Sequence, residues 1–310
     1  KTAYEISLGL VGSEMCIRDR SHVTKLFVME TGADFSVSKA TLYKNAAAWD
    51  RLAKAHDALA SPACDEAFID PRNWLGTGGP ADRPWLPSSL KGLEILCLAA
   101  GGGKHGPLYA AAGAKVTVVD LSASMLDLDR QVARERKLHL ELIQSSMDDL
   151  QMLKNDDFDL IIHPVSSCYL PSLTQLFFEI ARVCRPGGLY MSQHKTPRSL
   201  QSSLHPNSDG RYEVIFPECR SAEYSKALPP APPSRLREVG TDEFIHSFTD
   251  LLGGICRAGF CLEDFFEPSE GNREATRGSF AHRAAFLPPY IRILARKYGQ
   301  RKTLKPVVVQ

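Results

Sequence analysis

One stretch, LEILCLAAGGGKHGPLYAAAGAKVTVVD from Leu93 to Asp120, constrains this chain more than any other. Two apolar runs, Leu93–Ala99 and Lys115–Val119, have the length and composition of buried strands. Between them lie Gly101-Gly102-Gly103 and a short helical segment, Lys104–Ala112, with Pro107 in its first turn and Gly113 at its end. A strand, a glycine turn, a helix and a second strand form one repeat of an alternating α/β chain.

The alternation continues. Ser122 can cap the helix SASMLDLDRQVARERK, and HLELIQ is a third strand. FDLIIHPV is a fourth strand, SLTQLFFEIARVC a helix and GLYMSQH a fifth strand. This order predicts a parallel sheet with helices on both faces. Upstream, the pattern from Ser36 to Ala60 is helical, and IDPRNWLGTGGPADRPWLPSSLKG is a turn-rich connection. After His194 the rhythm stops. Residues 196–240, which include LPPAPPSRL, read as an insertion or lid. A helix is expected over TDEFIHSFTDLLGGICRAGF, kinked at Gly253-Gly254, followed by strands FCLEDFFEP and YIRILAR. Residues 296–310 are a basic, solvated tail.

At 310 residues and 44% apolar content, one sizeable core with elaborations is expected. A net charge of +1 gives no global field for nucleic acid or an anionic membrane. The eight cysteines show no CxxC pair or metal-like spacing, so reduced thiols, a cytoplasmic location and no metal are expected. No apolar run approaches the ~18 residues that span a bilayer. Residues 1–20 stand apart. Their back-translation matches the two constant parts of a transposase-type sequencing adapter, with a short barcode encoding Ser7-Leu8-Gly9 between them. They are therefore expected to be non-native, with Met29 as a candidate start and any targeting peptide left open.

Glycines between a first strand and its helix let backbone approach a ligand without Cβ obstruction. In a dinucleotide site the pyrophosphate rests on free N–H groups there. An adenosyl-sulfonium cofactor has no phosphate but needs the same close approach. Asp120, ending VTVVD, can accept hydrogen bonds from ribose hydroxyls in either case. The loop alone leaves both cofactors open.

Together with QSSMDDL, FDLIIHPVSSCYLP and VCRPGGLY, the stretch 93–120 resembles class I S-adenosylmethionine-dependent methyltransferases, closest to their small-molecule-type group. The resemblance covers about residues 37–295 and is most specific over 93–190. The Arg185-Pro186-Gly187-Gly188 turn is typical of that family and not expected of a dehydrogenase. It implies a Rossmann-like, seven-stranded, mostly parallel α/β sheet with helices on both faces and an antiparallel last strand. The organisation implied is an N-terminal helix and connection over 21–92, a methyltransferase domain over 93–295 and the tail.

By the same resemblance, Ala99, Gly101 and Gly103 lie under the methionine part of the cofactor, and Asp120 holds the ribose. Leu121 packs by the adenine, which Ser146 and Met147 also contact. His163 and Val165 line the floor where methyl and acceptor meet, and Tyr43 and Trp49 close the pocket. His163 is the catalytic candidate, because strand ends in this architecture face the ligand crevice. The chain departs from the family where Cys97 and Ser146 stand at positions that commonly carry acids. Cys97 and Cys168 read as packing residues.

Transfer from a sulfonium is an in-line displacement that needs positioning, with a base only where the acceptor loses a proton. The ending HPVS differs from the Asn/Asp-Pro-Pro-Tyr of enzymes acting on base or amide nitrogens. The expected activity is methyl transfer from S-adenosylmethionine to a small molecule, with no nucleic acid or membrane partner. Alternatives are a fold-retaining binding or regulatory protein and an NAD(P)-dependent oxidoreductase.

Overall fold

The computed structural model describes residues 38–217, 227–232 and 234–298. The adapter-like residues 1–20, Met29 and most of the tail lie outside that range.

Seven strands form one sheet: β1 (Glu94–Leu98), β2 (Lys115–Asp120), β3 (Leu140–Gln144), β4 (Phe158–His163), β5 (Cys184–Lys195), β6 (Phe260–Phe266) and β7 (Tyr290–Lys297). Their order is β3-β2-β1-β4-β5-β7-β6. Strands β1 to β5 pair in parallel, and β7 enters antiparallel between β5 and β6. This is the expected mixed sheet. In register, Leu98 lies beside Val119 and Cys97 beside Ile162, so the turns after β1, β2 and β4 open on one edge. Crevices of this kind hold ligands in open α/β sheets.

The pleat sends alternate side chains to two cores. Ile161, Tyr190 and Ile293 pack under α5 (Thr174–Val183) and α7 (Phe248–Arg257). Ile95, Cys97, Leu160 and Met191 pack beneath the connection that carries Trp85, Leu86 and Leu90. Helices α1 (Lys39–Lys54), α2 (Pro71–Trp74), α3 (His105–Ala111), α4 (Ala123–Arg136), α6 (Pro197–Gln201) and α8 (Phe280–Ala284) complete the fold. Ser38 caps α1 by accepting from Thr41 N, and Ser122 caps α4 by accepting from Met125 N as its sequence position predicts.

Three features differ from the sequence reading. The late helix begins at Phe248, not near Thr241, because Ser247 and Asp250 form a capping box there. Residues 241–247 instead run extended: Leu228 N donates to the Glu243 carbonyl and Phe244 N to the Cys168 carbonyl, each at 2.7 Å. The Gly253-Gly254 pair lies inside that one continuous helix, and Gly254 leaves room for Phe177, whose ring carbons would stand 2.7 Å from an added Cβ. Finally, Arg185–Gly188 sits within the β5 span, where pairing with β4 slips register at Phe158/Leu160 and Gly187 takes φ +81°.

The described residues between 196 and 240 are clamped to the body. Arg283, buried in α8, donates to the carbonyls of Ser199, Ser202 and Ser203 at 2.7, 3.1 and 2.9 Å. Lys195 at the end of β5 meets Glu238 at 2.6 Å and Glu243 at 3.2 Å, and Arg237 lies 3.1 Å from Glu243. All four of these side chains are buried. Burial alone would push the Lys195 ammonium down, but Cys168, Glu238 and Glu243 outweigh it and hold the proton on.

Candidate active site

The turn after β1 builds the site. Ala99 adopts a left-handed conformation at φ +48°, which turns the chain sharply out of the sheet at a cost of about 1 kcal/mol. Gly102 and Gly103 follow at φ +113° and +73°, where a side chain would be strained. A Cβ on Gly103 would meet Val132 Cγ2 at 3.0 Å and Pro62 Cβ at 3.1 Å, so the loop lies wedged between α4 and the segment after α1.

The loop N–H groups do not face an open anion site. Gly101 N donates to Asp120 Oδ2 at 2.9 Å. Gly102 N and Gly103 N donate to the two carboxylate oxygens of Asp129 at 2.9 and 3.1 Å. Asp120 Oδ1 also accepts from Ser122 N at 2.9 Å. Burial drives the Asp120 carboxyl up to about 6, against the pull of its hydrogen bonds from Ser122, Gly101 and Leu121. Asp129 rises to about 7 through burial, with Asp120 adding to the push and the Gly102 and Gly103 hydrogen bonds opposing it. A third acid closes the group: Asp50 on α1 accepts from Ser122 Oγ at 2.5 Å and from Ser124 N at 3.0 Å. Its burial is overcome by those bonds and by Lys54, which hold its carboxyl low.

Asp129 was missed in the sequence, although a signal exists. Met125, Leu126, Val132 and Ala133 form the buried stripe of α4, and Asp129 occupies the helical position between them. An acid on a core stripe needs buried donors. It faces the loop from beneath and supplies the carboxylate that Cys97 lacks. Cys97 is a fully buried core residue whose thiol is pushed well up by burial and by Asp129. Ser146 likewise has an acid at hand, since its hydroxyl donates to Asp148 two residues on.

The other expected residues fall into three groups. Leu121 stands next to Asp120, and its carbonyl accepts from Gln144 Nε2 at 3.2 Å. Met147 is buried and touches a polar chain: Ser166 Oγ lies 3.5 Å from its sulfur and 2.7 Å from His163 Nε2, and His163 Nδ1 lies 2.7 Å from the Tyr190 hydroxyl. Val165 is half-buried in the turn between them. Trp49 packs edge-on to Tyr169 with ring centroids 6.1 Å apart, whereas Tyr43 is 74% exposed on the outer face of α1. The residues that tie α1 to the site are Asp50 and the buried Asn45, which accepts from Asp242 N at 2.7 Å.

His163 is poorly placed as a base. It is 1% exposed, both ring nitrogens are engaged, and burial pushes it down to about 3. Its neutral ring orders Tyr190 and Ser166. His194 is the same kind of residue, held between Ser167 Oγ at 2.7 Å and Ser192 Oγ at 2.8 Å. Beside the loop, a cavity of about 490 Å³ opens over the ends of β4 and β5.

The methyltransferase-domain family matches residues 96–192, the span from β1 through most of β5. The methyltransferase YbaJ of Bacillus subtilis is 34% identical over 192 residues, which cover 61% of this chain and 73% of that one. A ubiquinone biosynthesis O-methyltransferase of Xanthomonas oryzae is 28% identical over 113 residues, covering 36% of this chain and 47% of that one. Among solved structures, an S-adenosylmethionine-dependent methyltransferase from Mesorhizobium loti shares the fold at a TM-score of 0.52 and 22% identity, over 68% of this chain and 94% of that one.

Proposed function

The chain belongs to the S-adenosylmethionine-dependent methyltransferases, and from that premise we propose that it methylates a small molecule, with the cofactor seated over Ala99–Gly103 and Asp120. The observation that carries this reading is the closure of the glycine loop by Asp120 and Asp129. A pyrophosphate would need those N–H groups and would face two carboxylates; a sulfonium cation is attracted by them. This weighs against the dinucleotide alternative on charge as well as on resemblance.

The acids also suit the rest of the cofactor. A carboxylate offers about four lone-pair sites, and Asp120 spends three of them on the backbone N–H groups of Gly101, Ser122 and Leu121. The fourth can accept from a ribose hydroxyl. Leu121, Met147 and the Ser146–Asp148 pair border the adenine side, and Trp49 stands in the wall beyond. Bound there, the cofactor supplies an electrophilic methyl group. The protein's part is to hold the acceptor in line, exclude water and keep the loop rigid. His163 serves that rigidity.

Calorimetric titration with S-adenosylmethionine, S-adenosylhomocysteine and NAD(P) tests the proposal. Binding of the two adenosyl ligands alone is the expected result. Binding of a dinucleotide alone would overturn it, and binding of none would favour a fold-retaining regulatory protein. Mass analysis of products from candidate metabolites then identifies the acceptor.

A further inference from the structure

The cavity beside the glycine loop carries an unbalanced charge. Lys104, which directly follows the loop, and Arg292 on β7 both line it, and no aspartate or glutamate does. Arg292 gives its Nε–H to Gln193 Oε1 at 2.8 Å. Among the described residues it forms no ion pair with a carboxylate. Its neighbours on the same sheet are matched: Arg296 pairs with Glu263, Lys297 with Asp156 and Arg185 with Asp159. His105, also in the wall, feels the surplus, since burial together with Lys104 and Arg292 pushes it down to about 4. It stays neutral beside two cations.

The remaining wall is mostly apolar and aromatic, with Ser192 and Gln193 as its uncharged polar members. Trp85 is held edge-on against Phe266 at 5.3 Å, with its indole N–H given to Asp264 Oδ2 at 3.0 Å outside the cavity. Trp74, Tyr109, Ile162 and Met191 also line it. A volume of about 490 Å³ is within the range of small-molecule sites, which combine an apolar body with a few placed polar groups. His163 and Pro164 at the end of β4 line the cavity as well, at the strand end where the family resemblance puts the meeting of methyl group and acceptor.

The geometry points to an anionic acceptor: a small amphipathic molecule whose carboxylate or phosphate pairs with Arg292 while its apolar or aromatic body lies against Trp85 and Met191. This rests on the methyltransferase reading of the neighbouring loop. Arg292 is the anchor because a guanidinium with free N–H groups binds carboxylate or phosphate bidentately. Lys104 lies nearer the cofactor's methionyl end and supplies field.

The test titrates the protein, loaded with S-adenosylhomocysteine, with 1-naphthoate, 1-naphthyl phosphate and the neutral 1-naphthamide, followed by quenching of tryptophan fluorescence. The anions are expected to bind at least tenfold more tightly than the amide. The better of the two identifies which anionic group the acceptor carries. Arg292→Gln should lower anion affinity about tenfold and leave amide affinity and the melting temperature unchanged. Equal binding of amide and anions, no binding of any probe, or anion affinity unaffected by Arg292→Gln would each overturn the proposal. The cofactor reading fails separately, if S-adenosylhomocysteine itself does not bind; the probe arms are then read on the free protein.

Discussion

Replacing Asp129 by alanine separates loop positioning from stability. The carboxylate is fully buried and accepts from Gly102 N and Gly103 N. Gly102 N keeps a second acceptor, the Met125 carbonyl at 3.0 Å, so the variant strands chiefly the Gly103 N–H. An orphaned buried donor costs about 1–3 kcal/mol, and loss of the shared bond up to about 1 more. Against this stands the ionisation of a buried acid. Asp129 titrates from 3.8 when exposed to about 7 when folded. The folded state therefore binds more protons across that window, and stability falls as pH rises through it, by up to about 1.4 kcal/mol per unit. The variant carries no such penalty. Urea denaturation should show Asp129→Ala less stable than the parent by about 1–4 kcal/mol near pH 4, and level with or above it near pH 8. At the higher pH, with no stability deficit, S-adenosylhomocysteine should still bind tenfold or more weakly, because the loop has lost its support from α4. A pH-independent stability difference would refute the ionisation argument, and unchanged ligand affinity near pH 8 would refute the positioning role.

Asp120→Ala removes the acceptor of Gly101 N and Ser122 N together with the ribose partner, and calorimetry should find no adenosyl binding; surviving affinity would remove Asp120 from the site. His163→Asn should lower stability by about 1–3 kcal/mol, through the lost partners of Tyr190 and Ser166, yet preserve the shape of the pH–rate profile. A limb near the ordinary histidine range that vanished in this variant would show that His163 titrates during turnover. Lys195→Met leaves Glu238 and Glu243 buried without their ammonium and should cost about 3–5 kcal/mol in urea denaturation; a loss below about 1 kcal/mol would mean that water reaches the cluster. Because the sulfonium is a cation and S-adenosylhomocysteine is not, their affinity ratio should rise severalfold between about pH 5 and pH 8 as Asp129 and Asp120 ionise. A constant ratio would mean that those carboxylates do not act on the methyl-bearing sulfur.

The fold was legible because strand periodicity and glycine turns are local signals. Glu94–Leu98 and Lys115–Asp120 fall within about a residue of where the apolar runs place them, and Phe158–His163 ends two residues short of its run, before Pro164. The late helix was overextended because Thr241-Asp242-Glu243 resembles a helix start, while the backbone of 241–247 bonds to Cys168 and Leu228, far away in sequence. Tertiary pairing overrode local preference there. Distant contacts also hid the chemistry. Asp50, Asp129 and Arg292 lie on α1, α4 and β7, and only the fold brings the first two to the loop and the third to the cavity beside it.

That distribution bears on the two acids absent from their usual positions. Cys97 and Ser146 looked like losses when each was weighed at its own place in the sequence. In the folded chain a carboxylate reaches each place from elsewhere: Asp129 supports the glycines from α4, and Asp148 bonds Ser146 from two residues on. Moving the acid from β1 to α4 changes what it does, because Asp129 lies behind the loop and spends both oxygens on backbone N–H groups. It sets the loop's conformation and contributes charge without being displaced by a ligand. The negative side of the crevice is therefore built into the scaffold, and the positive side, Lys104 and Arg292, faces the open cavity. A cationic methyl donor and an anionic acceptor would each be drawn to the side that suits it, and the methyl group would pass where the two fields meet. Asp129 and Asp120 would attract the cationic donor and not the neutral product left after transfer, so these carboxylates would favour exchange of the one for the other.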